Sequence, residues 1–344
     1  MSDVEFSVHD GLGRITLNRP GVLNALNHDM VRAIAARLEH WRVDTGVRAV
    51  VIDGAGDRGL CAGGDIRSIY DDARAGGTAS PAFWADEYRL NAAIAGYPKP
   101  YVALMDGIVM GGGVGVSAHG SHRIVTDRSR VAMPEVGIGF VPDVGGTYLL
   151  SRAPGELGTH VVLTAARLTA ADAIHCGLAD HYVAASRLPD LIDALADHTP
   201  DAAAAMVAGP PPPSPLAAEA EWIDHCYAAD TVEEILDRLR DGGDAAVAAA
   251  KQIDGGSPTA LKVTLRALRS AAALPDLAAV LDQEYRISCR ALASPDLVEG
   301  VRARIVDKDR APRWSPATLA EVDDAIVDSY FADLGDDERR GADR

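Results

Sequence analysis

The 344-residue chain is 48% apolar and 24% charged, the balance of a globular protein with one large domain or a domain and an appendage. Asp and Glu outnumber Lys and Arg 50 to 33, a net charge of −17, which argues against non-specific binding to nucleic acid or an anionic membrane. The four cysteines form no CxxC pair, no run approaches the about 20 apolar residues of a membrane span, and the opening MSDVEFSVHD lacks the parts of a secretory signal, so a cytoplasmic protein with free thiols is expected.

Residues 4–8 and 14–18 flank His-Asp-Gly-Leu-Gly and read as a hairpin. From Asn27 to Arg42 the apolar residues Met30, Ile34, Leu38 and Trp41 recur at a helical period, with Asn27 as N-cap. Residues 47–52 are a continuous apolar run suited to a buried strand, and GAGDRGLCAGGD follows it. Ser80-Pro81 predicts a helix start, with the end near Gly96-Tyr97-Pro98. Residues 101–105 predict a strand leading into MGGGVG, and 122–126 and 130–133 predict two short strands. Residues 145–174 are mostly helical in pattern, and the alternation indicates an α/β layered core.

Gly-Pro-Pro-Pro-Pro-Ser-Pro at 209–215 marks a linker. Beyond it Thr231 with Glu234 fits a capping box, and Ser257-Pro258 and Ser294-Pro295 each open a helix. The charged tail GDDERRGADR is expected to fray. The expected organisation is a core over 1–205, a Pro-rich linker over 206–216 and a helical C-terminal section over 217–344.

The glycine run is a poor nucleotide loop. There is no GxxxxGK[ST], and the Gly-x-Gly begun by Gly113 and Gly115 is broken by Ala118. A helix starting near Gly112 instead presents unpaired amides to a ligand carbonyl. Close packing of helix on sheet is compatible with this. The turn Cys61-Ala62-Gly63-Gly64-Asp65 can supply a second amide, and two converging donors make an oxyanion hole. Glu135 and Asp143 lie in an apolar, Gly/Pro-punctuated segment, MPEVGIGFVPDVGG. Burial would raise both pKa values and proximity would separate them, as acid–base or nucleophilic work requires. Taken singly, Asp143 also reads as a helix N-cap and Glu135 as a structural hydrogen-bond partner. His119, His122, His175 and His181 show no metal-ligand pattern, and no metal is expected. Cys61 reads as a small buried thiol.

Together these segments resemble the crotonase (enoyl-CoA hydratase/isomerase) superfamily. The matching stretches are Asn18-Arg19-Pro20 with Leu23-Asn24-Ala25-Leu26, then Cys-Ala-Gly-Gly-Asp, Lys99-Pro100 leading to Gly111-Gly112-Gly113, Met-Pro-Glu, and Pro-Asp-Val-Gly-Gly-Thr. The resemblance implies a spiral of ββα repeats, a CoA thioester ligand, and an oxyanion hole from the amides of Gly64 and Gly112. Within the superfamily the chain is most similar to the 3-hydroxyisobutyryl-CoA hydrolase family. ADEYRLN at 85–91 carries that similarity in the core, and SPTALKVTLR at 257–266, EYRIS at 284–288 and EGVRARIVDKDRAPRW at 299–314 extend it into the C-terminal section.

One departure separates the reactions. Hydratases carry a catalytic Glu three residues after the oxyanion glycine, where this chain has Gly115. The hydrolase pattern keeps Glu135, adds Asp143 and places Glu87 at the substrate. The resemblance therefore implies catalytic Glu135 and Asp143, substrate contacts from Glu87, Gly112, Glu135 and Asp143, and no cofactor beyond the CoA of the substrate. The implied partner is an acyl-CoA, with no nucleic acid and no membrane, and homo-oligomers are common in the superfamily. Two alternatives stay open: an enoyl-CoA hydratase or isomerase using Glu135 alone, and a non-catalytic acyl-CoA binding protein. Arg19, Arg67 and Lys99 lie near matched motifs, but the sequence assigns none of them to the CoA phosphates.

Overall fold

A computed structural model describes residues 2–335, among which nine strands and a larger number of helices alternate. The expected fraying of the tail concerns residues that lie almost wholly outside that range. The described residues group into two compact units, one of 2–64, 89–132 and 167–217, the other of 65–88, 133–166 and 218–335.

The first unit holds every described strand. β1 (Val4–His9) and β2 (Leu12–Leu17) form the expected hairpin around Asp10 and Gly11, both at positive φ as a tight two-residue turn requires. β2 then pairs in parallel with β3 (Ala49–Gly54), β3 with β5 (Tyr101–Met105), β5 with β7 (His122–Val125), and β7 with β9 (His181–Tyr182). The sheet order is β1-β2-β3-β5-β7-β9. A second parallel sheet contains β4 (Gly59–Cys61), β6 (Ile108–Met110) and β8 (Arg130–Ala132). The first two strands both join the large sheet; from β3 to β8 the strands alternate, one to the large sheet and the next to the small sheet, before the chain enters a helical turn.

Parallel strands buried on both faces read as unbroken apolar runs, and β5 is buried at every position. On one face Val51, Val102, Leu104 and Ile124 pack with Leu191, Leu195, Ala203 and Val207 of the helices Leu188–Asp197 and Pro200–Val207. The helix His28–Val43 buries Met30, Ile34, Leu38 and Trp41, as its period predicts, and the Asn27 side chain caps it by accepting from the Met30 amide at 2.9 Å.

The second unit is helical. The helix Ala79–Ala95, which crosses the unit boundary after Tyr88, begins two residues before Pro81. The helix Ile66–Ala75 is not anticipated by the sequence reading: only Ile69 and Tyr70 are buried on it, too few for a periodic signal. The expected caps at Ser257 and Ser294 open the helices Pro258–Ala273 and Pro295–Val301. Thr231 accepts from the Glu234 amide at 3.2 Å, the hydroxyl half of the expected capping box. The helix Leu277–Leu292 lies between the Ser257 and Ser294 helices in sequence.

Candidate active site

In the first unit, the motif Leu23-Asn24-Ala25-Leu26 builds the turn that carries Gly64. Leu23 and Asn24 both have φ +56°, and the Asn24 side chain accepts from the Arg19 amide at 2.9 Å while donating to the carbonyls of Ala55 and Gly59 at 3.0 and 3.1 Å. The backbone beyond it bonds to the glycine turn, Ala62 N donating to Leu23 O at 3.0 Å and Leu26 N to Gly63 O at 2.8 Å. Asn24 is therefore a structural organiser of that turn.

Gly112 opens the short helix Gly112–Gly115, so its amide belongs to the first turn, which has no intrahelical acceptor. Gly111 before it has φ +48°, a conformation that favours glycine. The two glycine segments approach closely: a Cβ on Gly63 would lie 3.4 Å from Met110 O and 3.8 Å from Gly112 N, and one on Gly113 would lie 2.4 Å from Cys61 O. Close packing and amide presentation thus coexist in this run. Cys61 is a fully buried thiol whose sulfur accepts from the Gly63 amide at 3.4 Å.

In the second unit, Glu87, Glu135 and Asp143 are all buried. Glu135 starts a one-turn 3₁₀ helix, Glu135–Ile138, closed by Gly139 at φ +70°. That turn is clamped by the Pro295–Val301 helix: a Cβ on Gly139 would sit 2.3 Å from Asp296 O, and one on Gly300 2.3 Å from Ile138 C. Asp143 precedes Val144 at φ +54° and Gly145 at φ +77°. A β-branched residue in the left-handed region is strained and persists only where its surroundings enforce it. The cap of the helix Gly146–Leu150 is Gly145, so the alternative reading of Asp143 as its N-cap fails.

Asp143 Oδ2 accepts from the Tyr88 hydroxyl at 2.8 Å, and that hydroxyl also lies 2.8 Å from Ser288 Oγ. Glu135 Oε2 and Glu87 Oε1 are buried with no hydrogen-bond partner. Buried carboxylate oxygens left unpaired cost stability, and such exceptions call for a functional explanation. Burial pushes Glu87 and Glu135 well above the usual carboxylate range, and the nearby Asp143 charge pushes both further. Burial also carries Asp143 up to about 7, against the Tyr88 hydrogen bond that lowers it. Glu284 is carried up to about 8, although Thr147 and Gly145 donate to it.

These shifts make stability pH-dependent. A carboxyl whose folded pKa lies above its unfolded value stabilises the fold at low pH and loses that contribution as pH rises through the folded value. His160, lowered to about 4 by burial, acts in the opposite sense but only below its unfolded value of 6.5. Between about pH 6.5 and 8.5 the raised carboxyls Glu87, Glu135, Asp143 and Glu284 therefore all act in the same sense, and the melting temperature is expected to fall. Asp143→Asn should flatten that slope in thermal unfolding followed by circular dichroism; an equally steep slope would contradict the assignment.

The structure thus brings Glu87, Glu135 and Asp143 together in one unit, and the Gly64 and Gly112 segments together in the other. The basic candidates are engaged locally or exposed. Lys99 bonds the carbonyls of Trp41 and Asp44, Arg19 donates to Ala25 O at 2.7 Å, and Arg67 is exposed. Tyr88, Thr147, Glu284 and Ser288 carry no role in the sequence reading, although ADEYRLN and EYRIS contain three of them. The signal was present: Glu284 and Ser288, four apart, occupy the same buried stripe as Val280, Ile287 and Ala291, where apolar residues are the rule.

Repeated strand–strand–helix winding over a large and a small sheet, with two glycine turns packed together and a buried carboxylate after β8, defines a crotonase-type α/β protein. The chain belongs to the enoyl-CoA hydratase/isomerase family, whose profile matches residues 12–331. It is similar to the mitochondrial 3-hydroxyisobutyryl-CoA hydrolase of Gallus gallus, 41% identical over 98% of this chain and 90% of that protein. The mitochondrial 3-hydroxyisobutyryl-CoA hydrolase of Rattus norvegicus is 43% identical, covering 94% and 87%. Among solved structures it is similar to a carnitinyl-CoA dehydratase from Mycobacterium thermoresistibile, with a TM-score of 0.95, 55% identity and coverage of 97% and 98%.

The curated relatives overturn the cytoplasmic placement expected from the sequence, because both are mitochondrial by name. Thiols without a disulfide pattern and the lack of a long apolar run carry no address. Among the described residues no helix is long and apolar enough to cross a membrane.

Proposed function

We propose that the chain hydrolyses a β-hydroxyacyl-CoA thioester, with 3-hydroxyisobutyryl-CoA as the favoured substrate and 3-hydroxyisobutyrate and CoA as products, a step of valine breakdown. The observation that carries this reading is the pairing of buried Glu135 with buried Asp143, while position 115 holds a buried glycine in place of a hydratase carboxylate. The names of the curated relatives support it.

On this reading the amides of Gly64 and Gly112 stabilise the charge that develops on the thioester oxygen. Glu135 either attacks the carbonyl carbon, forming a mixed anhydride that water then opens, or takes a proton from a water that attacks directly. Both routes consume one water, form a C–O bond and break the C–S bond. Asp143, held near neutrality, orients the 3-hydroxyl or protonates the departing thiolate. Glu87 lines the acyl pocket, its unpaired oxygen available to the acyl hydroxyl. No cofactor beyond the CoA of the substrate enters these steps.

The second reading is hydration or dehydration of a CoA ester, favoured by the name of the mycobacterial structure at 55% identity. Two assays separate them. Thiol release from 3-hydroxyisobutyryl-CoA should be robust, and loss of the conjugated absorbance of crotonyl-CoA should be slow or undetectable. Hydration without thiol release would replace the hydrolase reading. A panel of acyl-CoA esters then ranks the acyl group, since one methyl branch is worth only about 1–3 kcal/mol.

A further inference from the structure

The helix Leu277–Leu292 of the C-terminal section reaches the Asp143 loop with two polar side chains from one face. Glu284, fully buried, accepts from Gly145 N at 2.6 Å through one oxygen, and from Thr147 N at 3.0 Å and Thr147 Oγ1 at 2.5 Å through the other. These donors lie two and four residues beyond Asp143, just past the strained Val144. Ser288, one helical turn on and equally buried, meets the Tyr88 hydroxyl that donates to Asp143. Since that hydroxyl gives its proton to the carboxylate, Ser288 must donate to the Tyr88 oxygen. A hydrogen bond received strengthens the one given. One helix face therefore holds both ends of the problem, the backbone that aims Asp143 and the hydroxyl that sets its acidity.

We propose that Glu284 and Ser288 are positioning residues for Asp143, Glu284 by tying down the loop amides of Gly145 and Thr147, and Ser288 by orienting and polarising Tyr88. Neither needs to touch the substrate. Glu284 is suited to the task because two oxygens are needed: a glutamine offers one acceptor and turns an amide NH₂ toward a backbone N–H that then has no partner. The titratable groups whose charges act with Asp143 are Glu87, Tyr88, Glu135 and Glu284.

The activity arm of the test rests on the hydrolase reading; the spectroscopic arm does not. In full-length protein carrying ¹³C-carboxyl aspartate, the Asp143 signal is identified by its loss in Asp143→Asn and titrated. Ser288→Ala should move its midpoint upward, and Tyr88→Phe should move it further in the same direction. Glu284→Gln should speed amide exchange at Gly145 and Thr147 by about tenfold or more, and lower kcat for thiol release by up to about 10²-fold with KM little changed. An unmoved midpoint in both Ser288→Ala and Tyr88→Phe overturns the Ser288 role. Unchanged exchange, or unchanged kcat in an active enzyme, overturns the Glu284 role. If the wild type releases no thiol from any β-hydroxyacyl-CoA, the hydrolase reading falls, while the midpoint and exchange rates still decide the positioning roles.

Discussion

Glu135→Gln is expected to reduce kcat for thiol release by about 10³-fold or more while leaving CoA-ester affinity within a few-fold of wild type. The substitution is isosteric, and the side chain sits in a buried turn held against the Pro295–Val301 helix by two glycine-dependent contacts, so its shape is retained. What changes is chemistry. A carboxamide neither attacks a carbonyl nor accepts a proton at neutral pH, so both routes stop. Removing the carboxyl also removes a buried ionisable group that has an unpaired oxygen, and folding stability should be equal to or above that of the wild type. Single-turnover thiol release and calorimetric titration with a non-hydrolysable thioether analogue check the two halves. Activity above about a tenth of wild type would remove Glu135 from the reaction. A wild type that binds acyl-CoA and never turns it over would leave a binding protein instead.

Local signals told the truth about local structure. Strand β5 occupies the predicted residues 101–105 because a fully buried parallel strand is apolar throughout. The helix after Asn27 follows its period because one face meets a sheet. The glycine turns and the two carboxylates of 133–146 were legible through resemblance, since their order along the chain is that of the superfamily. What stayed hidden is long-range. Tyr88 reaches Asp143 across 55 positions, Thr147 reaches Glu284 across 137 and Tyr88 reaches Ser288 across 200. No propensity or period encodes such pairings, because each is made by tertiary packing. The only trace is negative: a carboxylate and a hydroxyl where a helical stripe should be apolar.

The C-terminal section gains a physical role from the same contacts. Helix Pro295–Val301 presses on the Glu135 turn through Gly139 and Gly300, and helix Leu277–Leu292 grips the Asp143 loop through Glu284. Both carboxylates central to the proposed chemistry are therefore positioned by residues that follow the Pro-rich stretch. This also explains why EYRIS and EGVRARIVDKDRAPRW accompany MPEVGIGFVPDVGG in one chain. The strained backbone at Val144 is held by bonds from a helix more than 130 residues away, so loss of that helix should release the loop.

Gly113→Ala carries the second large effect, and two opposing terms decide its sign. Helix propensity alone favours alanine over glycine by about 1 kcal/mol. Against this, the added Cβ would lie 2.4 Å from Cys61 O and 3.0 Å from Cys61 Cβ, where neither a backbone carbonyl nor a buried strand can yield cheaply. Overpacking of this kind costs about 1–3 kcal/mol, so a net loss of stability is expected. The larger consequence is geometric. Cys61 begins the turn that carries Gly64, and Gly113 follows Gly112, so relief of the clash separates the two amide donors. Misplacing one oxyanion donor costs about 10²–10³-fold in kcat. Gly113→Ala should therefore lose about that much with KM little changed, whereas Gly21→Ala, whose Cβ meets nothing within 4 Å, should behave as wild type in both stability and turnover. Steady-state thiol release and thermal unfolding read the two outcomes separately. A stable, fully active Gly113→Ala enzyme would mean that the spacing of these glycine turns does not set the rate, and the oxyanion assignment of Gly64 and Gly112 would fall with it.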